Sequence, residues 1–560
     1  MNTGNQKKLF YTLLLVWLIV NILQAVFTEI LSDEAYYGLY GKYLAWGYFD
    51  HPPMVAILIK ISSLFFKGNL GIRFMTVILQ TATLLFTWRI IDEKNPDSGK
   101  IYSFFIIAAS ICMFCAYGFV TTPDVPLLFF TSFFLYSYKK FTFDQKWLSV
   151  IFLSLSMAGL IYSKYQAVLV IGFVVLSNIK VLKSYKFWIS GLCALILLTP
   201  HIWWQIANDY PSFKYHLVER SDGFKWLYLI EYVPNQMAVF NPLILGAAVY
   251  IILKTKVTDL FTRALYFSII GFIVFFGLTA FRGHVEPHWT IACSIPMIIL
   301  IYNNSTVNPK MFRFIRKALV PTLVIIFVLR ILLVTNLPLV KYFGFSGKKE
   351  KYEHIESVAK DLPVVFMGSF QKPALYTFFT GKEAMAINSL NSRKTQFDIW
   401  QFEKKYNNKP VFVCGFGEGD SKTYEKGSLK FFGYQTDSLQ TINRIGIKIK
   451  PSLKLVHAGD SVNLLVTFSN PCDFDIDFKH NRKFPVGVYT GFLKGEALNL
   501  FPVDLKEPVR IIHGGETLTR SVTIVVPDLP AGNYKFGICL QNIFGPAIND
   551  SFSDTKILNQ

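Results

Sequence analysis

Long apolar runs recur from Leu9 to about residue 337 and then stop. The first, Leu9–Leu31, is long enough to cross a bilayer, which takes about 20 residues as a helix. Ten further candidate spans lie at 69–91, 101–120, 125–138, 147–163, 166–179, 187–205, 236–253, 264–281, 289–302 and 318–337. The run 54–66 is shorter and carries Lys60, so it is expected at the interface rather than across the membrane. Backbone N–H and C=O groups inside lipid must be satisfied within the chain, which restricts such runs to helices. Residues 1–340 therefore read as a polytopic α-helical membrane domain with eleven spans.

Composition enters where charge must be explained. The chain is 52% hydrophobic and 16% aromatic, with a net charge of +19. Its Lys and Arg sit in short clusters between apolar runs, which excludes a basic nucleic-acid groove and points to topology and anionic-lipid contact. Lys7-Lys8, Arg89 with Lys94, Lys139-Lys140, Lys180 with Lys183, Lys254 with Lys256, and Arg313-Arg316-Lys317 follow every second span. By the positive-inside rule these loops are cytoplasmic. The loops 33–53, 121–124, 163–165, 201–235 and 282–288 then face outward, and an odd span count puts the C-terminal region outside as well. No small-residue cleavage site follows the first run, so it is expected to stay as a span.

Past residue 340 the pattern changes. Leu362–Phe370 and Pro410–Gly415 read as buried strands, with helices over Pro373–Thr380 and Lys394–Lys405, giving a small α/β unit at 341–437. Residues 438–560 alternate in short strands between turn signals such as 457–460 and 528–533, which predicts an antiparallel β-sandwich. Of seven cysteines, Cys414, Cys472 and Cys539 fall in this polar half, too few for a disulfide scaffold. Cys112-x-x-Cys115 has a metal-like spacing, but within an apolar run it reads as packing.

The unusual chemistry lies in Asp33–Pro53, DEAYYGLYGKYLAWGYFDHPP. Two carboxylates, Asp33 and Glu34, open a short amphipathic helix to Trp46. Tyr36, Tyr40 and Tyr43 share one face of it and are expected to anchor at the membrane–water boundary. Asp50-His51-Pro52-Pro53 then forces an extended turn.

This stretch resembles the first outward loop of the bacterial GT-C glycosyltransferases related to dolichyl-phosphate-mannose protein mannosyltransferases and lipid A aminoarabinose transferases. The likeness is sharpest in the loops and extends more weakly over about the first 340 residues. It implies a second acidic residue at Asp124, in TTPDVPLLFF, where the residues alone also fit a helix N-cap. It favours Lys164-Tyr165 at a lipid phosphate, where the residues alone fit a snorkelling lysine equally well. Arg282-Gly283-His284-Val285-Glu286-Pro287-His288-Trp289 resembles the family's late EPxW element. Many relatives carry Lys where this chain has His51, and a histidine is only partly charged near neutral pH.

The expected site is therefore catalytic Asp33, Glu34 and Asp124; His51, Lys164 and Arg220 at the donor phosphate; and Tyr36, Asp50, Tyr165, Arg282, Glu286 and His288 around the substrate. Arg220 suits a phosphate because its planar fork grips two oxygens. His284, Glu286 and His288 around a proline make no standard zinc spacing. No cofactor is required, although the residues leave a divalent metal open. No Gly-rich phosphate loop or dinucleotide fingerprint is present, so an outward-facing transferase draws its sugar from a lipid. The resemblance implies an inverting transferase in the bacterial inner membrane. It would move sugar from a polyprenyl-phosphate carrier, in contact with membrane lipids, to a lipid, glycan or protein acceptor. The alternatives are a transporter or flippase for lipid-linked sugars, and a non-catalytic sugar-binding protein.

Overall fold

The computed structural model describes residues 3–216, 223–257, 259–335, 337–390, 394–415, 421–495, 497–547 and 551–558. Its contacts divide the chain into two units, 1–348 and 349–560.

The first unit is helical. In order come α1 (Thr3–Phe27), α2 (Ser32–Lys42), α3 (Met54–Phe65), α4 (Gly68–Ile91), α5 (Ser98–Ser110), α6 (Cys112–Ala116), α7 (Asp124–Asp144), α8 (Trp147–Ser163) and α9 (Val168–Ser177). Then follow α10 (Tyr185–Ala207), α11 (Pro211–Lys214), α12 (Trp226–Phe240), α13 (Pro242–Lys254), α14 (Leu260–Thr279), α15 (Ser294–Val307), α16 (Pro309–Phe314), α17 (Val320–Leu333) and α18 (Pro338–Tyr342). Helix forms part of each of the eleven runs expected to span. Among the described residues five helices are long and apolar enough to cross a membrane alone, and α12 with α13 makes a sixth as a bent pair. This is a multi-pass membrane protein.

Burial explains the layout. α15 is apolar all round and sits at the centre, with Ser294 through Tyr302 all buried. α17 is equally apolar but buries no residue. The core around α15 draws on Phe104, Phe134, Phe240, Ile244 and Phe272.

Two expected spans are not single rods. The run 101–120 breaks at Ile111, between α5 and α6. The run 236–253 turns by 99° between α12 and α13. The second break has a local cause: Asn241 adopts φ +76, which Asn tolerates better than most residues, and Pro242 cannot extend α12. The two breaks meet. Asn241 Nδ2 donates to the Ser110 carbonyl at 3.1 Å, while its Oδ1 accepts from Leu243 N at 3.0 Å. Backbone freed by one interruption is thus satisfied by the other.

The second unit begins with α19 (Lys348–Ala359), whose first residue closes the helical unit. β1 (Val364–Met367), α20 (Gln371–Thr380), β2 (Ala384–Ile387), α21 (Gln396–Trp400), α22 (Glu403–Tyr406), β3 (Val411–Cys414), β4 (Lys422–Lys426) and β5 (Leu429–Thr436) follow. Their sheet has the order β2-β1-β3-β5-β4, parallel over its first three strands. The expected helix over 394–405 is two short helices, and β2, β4 and β5 are additions to the sequence reading.

The remaining strands are β6 (Gly446–Lys450), β7 (Leu455–His457), β8 (Ser461–Ser469), β9 (Ile476–Asp477), β10 (Gly487–Lys494), β11 (Ala497–Pro502), β12 (Ile511–Ile512), β13 (Thr517–Val525), β14 (Gly532–Asn542), β15 (Gly545–Pro546) and β16 (Ser553–Leu558). A sheet β11-β10-β14-β16-β7 and a sheet β13-β8-β6 enclose a core that includes Val466, Phe492, Phe536 and Ile538. Pairing is antiparallel except between β16 and β7.

Candidate functional site

α2 carries the adjacent carboxylates, and the fold separates their fates. Glu34 is fully buried. Its Oε1 accepts from Arg73 Nε at 2.7 Å and Thr121 N at 2.8 Å. Its Oε2 accepts from Arg73 Nη2 at 2.5 Å and from Leu31 N at 3.0 Å, the latter capping α2. Arg73, also fully buried, further donates to the carbonyls of Ala25, Thr28 and Glu29 at 3.1, 2.6 and 3.1 Å. One ion pair thus ties the end of α1, the start of α2, α4 and the loop before α7. Asp33, one residue earlier, is exposed.

A second buried pair lies in the next loop. Asp124 Oδ1 accepts from Lys164 Nζ at 2.7 Å, and its Oδ2 accepts from the Tyr117 hydroxyl at 3.2 Å. His288 Nε2 stands 3.8 Å from the same Oδ2 and is one-third exposed. Asp124 opens α7 without capping it, because its side chain is spent on Lys164. Lys164, expected to snorkel or to meet a phosphate at the surface, is 4% exposed. The break after α8 turns it inward.

Tyr37 connects the two carboxylate-bearing loops. Its phenol is buried. Burial, then the charges of Asp33, Asp50 and Asp124, raise its pKa well above the ordinary value, so it stays protonated. His51 Nε2 lies 3.3 Å from its hydroxyl, and the two rings meet edge-on. Asp50 is buried and its carbonyl accepts from His216 Nε2 at 3.0 Å.

The tyrosine face of α2 is corrected by the structure. Tyr36 and Tyr40 are 1% and 0% exposed, so they pack inward rather than anchoring at an interface, and Tyr43 lies beyond the last turn. Tyr40 stacks on Tyr48 at 3.9 Å. That leaves the loop 43–53 held by a polar chain. His201 Nδ1 donates to the Trp46 carbonyl at 2.6 Å, and His201 Nε2 lies 3.3 Å from the Tyr165 hydroxyl. Gln205 donates to Tyr165 and to Ser212 at 2.7 and 2.9 Å, and Ser212 donates to the Tyr48 carbonyl at 2.9 Å. Gly47 is required here, since a Cβ would come within 2.3 Å of the Trp204 ring. Tyr165 therefore belongs to this brace.

The late element is open. Arg282 is exposed, and His284 and Glu286 face each other at 3.8 Å, each over one-third exposed. Arg220 lies outside the described residues. Among the described residues no three His, Cys, Asp or Glu side chains are grouped as metal ligands.

The family model for dolichyl-phosphate-mannose-protein mannosyltransferase matches residues 50–204, which include His51, Asp124 and Lys164. No curated protein sequence matches. Among solved structures, ArnT from Cupriavidus metallidurans bound to undecaprenyl phosphate is similar with a TM-score of 0.54 at 12% identity, over 77% of this chain and 98% of that one. The same protein in its apo state gives 0.54 at 11% identity with the same coverage. The chain is PMT/ArnT-like. Its fold is that of the two ArnT structures, with a strand-rich C-terminal region.

One residue of this helical unit that the sequence reading does not single out is Arg73. It lies inside the apolar run 69–91, and a lone charge at such a place is itself a signal of an internal partner. Tyr37 was passed over in favour of its neighbours on the presumed face.

Proposed function

We propose that this chain is an inverting glycosyltransferase that moves a sugar from a polyprenyl-phosphate carrier to a lipid, glycan or protein acceptor at the outer face of the bacterial inner membrane. The observation that carries the mechanism is the divergence of Asp33 and Glu34. Each oxygen of Glu34 already accepts two hydrogen bonds, whereas Asp33 is exposed at the start of α2. Asp33 is the general base. It takes the acceptor hydroxyl's proton as that oxygen bonds to the anomeric carbon, and the bond to the carrier phosphate breaks with its electron pair leaving on the phosphate. A single displacement inverts the sugar carbon.

The Asp124–Lys164 pair is neutral as a whole. In this reading it orients groups at the phosphate, while His51, His288, Arg220 and Arg282 supply the charge that stabilises the leaving group. Tyr36 and Asp50 shape the pocket from behind, and Glu286 borders the sugar. The similar ArnT structure holds undecaprenyl phosphate, and that supports a lipid-linked donor here. No cofactor is invoked.

The test is Asp33→Asn, purified and assayed with a polyprenyl-phosphate sugar. Turnover falls by about 10²–10⁴-fold, the usual cost of losing a general base, with the melting temperature unchanged. Near-normal turnover moves the base elsewhere. The side of the membrane is tested separately: alkaline phosphatase fused after Gln560 is active, and a reporter that works only in the cytoplasm is silent there.

A further inference from the structure

A crevice of ≈490 Å³ opens between α1, α5 and α17, lined by apolar side chains including Val16, Val20, Tyr102, Ile106, Val324 and Phe327. Its volume falls within the range of small-ligand sites. Val324 and Phe327 are each 59% exposed, so the crevice opens to the surroundings of the helical unit. One charge lines it, that of Arg330. Arg330 Nε donates to Gln24 Oε1 at 3.3 Å, Nη2 to Asn21 Oδ1 at 2.8 Å and Nη1 to Cys115 Sγ at 3.4 Å. The guanidinium also lies 4.9 Å from the Phe119 ring centre.

All these partners are neutral. Among the described residues no carboxylate lies within ion-pair distance of Arg330. Three of its five N–H donors are used, and two are left. A charge facing lipid without a counter-ion is costly. Arg73, by contrast, has Glu34. Arg330 lies three residues before the end of α17 at Leu333, about 4.5 Å along the axis at the helical rise. That depth belongs to lipid headgroups rather than to the bilayer centre. A planar fork with two free donors beside an apolar slot matches a phosphate joined to a hydrocarbon chain.

We propose that this crevice binds an anionic glycerophospholipid, one acyl chain in the slot and the phosphate on Arg330. The site is separate from the Asp33–Asp124 cluster and does not depend on the transfer reaction. A bound lipid braces Cys115 and Phe119, in the segment that leads to Asp124.

The test uses the full chain purified from vesicles of phosphatidylcholine with or without phosphatidylglycerol, with retained lipid measured by native mass spectrometry. Wild type keeps one phosphatidylglycerol. Arg330→Gln, which preserves polar contact but removes the charge, reduces retention about tenfold or more, as expected for a lost charge-assisted hydrogen bond. Ala109→Phe fills the slot and reduces it similarly. If that variant does not fold, Val324→Trp on the exposed wall decides. Equal retention of phosphatidylcholine, full retention by Arg330→Gln, or retention of a polyprenyl phosphate in place of phosphatidylglycerol overturns the proposal. So does a cross-linked dimer through α17 that Val324→Trp abolishes.

Discussion

Two buried ion pairs stand in neighbouring loops of the helical unit, and they differ in what is left over. Glu34–Arg73 is closed: every oxygen is occupied and the arginine's remaining donors are spent on backbone carbonyls. Asp124–Lys164 is open: it has one neutral hydroxyl partner, and a His288 that is one-third exposed stands at its edge. The closed pair is built like a structural joint. The open pair is not saturated in this way. Identical charge types thus separate by saturation, not by identity.

The largest effect that sharpens this contrast comes from Arg73→Met. It leaves Glu34 charged and buried without its counter-ion, held only by the Leu31 and Thr121 amides, which typically costs about 3–5 kcal/mol. We expect little folded protein in a thermal-unfolding assay, with much of the stability restored by adding Glu34→Gln. Lys164→Met leaves Asp124 beside Tyr117 and His288. Its expected pattern is reversed: folded protein is recovered, and turnover falls further than the melting temperature. If Lys164→Met unfolds the chain as readily as Arg73→Met, the two pairs have the same role.

A smaller effect is expected at His51. Lys at this position is common in the family the loop resembles, and it carries a full charge at neutral pH. His51→Lys is expected to keep or raise turnover near pH 7, read as kcat against pH. Abolished transfer with intact folding would make His51 a partner of Tyr37 rather than of the phosphate.

The smallest effect concerns Tyr37. Its pKa is raised in the folded state, and the unfolded phenol titrates near 10. The unfolded chain therefore releases this proton first. Stability is complete below pH of about 10 and declines as the pH rises above it. Tyr37→Phe removes that part of the alkaline loss, so its unfolding curve flattens above pH of about 10 relative to wild type.

Much of the fold was legible because lipid leaves a chain few options. Each long apolar run before residue 340 is built on helix, and Asp50-His51-Pro52-Pro53 turns the chain into α3, although α2 itself ends at Lys42, short of the expected Trp46. What was not legible were pairings across sequence. Glu34 and Arg73 are 39 residues apart, and nothing local distinguishes Glu34 from Asp33. Tyr36 and Tyr40 have the right spacing for an interfacial face, but tertiary packing buries them, Tyr40 under the ring of Tyr48 from the following loop. Lys164 read as a surface lysine because its partner lies 40 residues away. β2 and β5 escaped notice because short strands within a mixed unit carry a weak periodic signal.

The meeting of the two helix interruptions has a consequence for how the protein is made. The carbonyl of Ser110 and the amide of Asn241 are 131 residues apart. A ribosome delivers the first long before the second. Until Asn241 has been synthesised, the break after α5 lacks its native donor. Assembly of this segment is tied to the arrival of a later one, and a chain truncated before Asn241 leaves the earlier break without that partner.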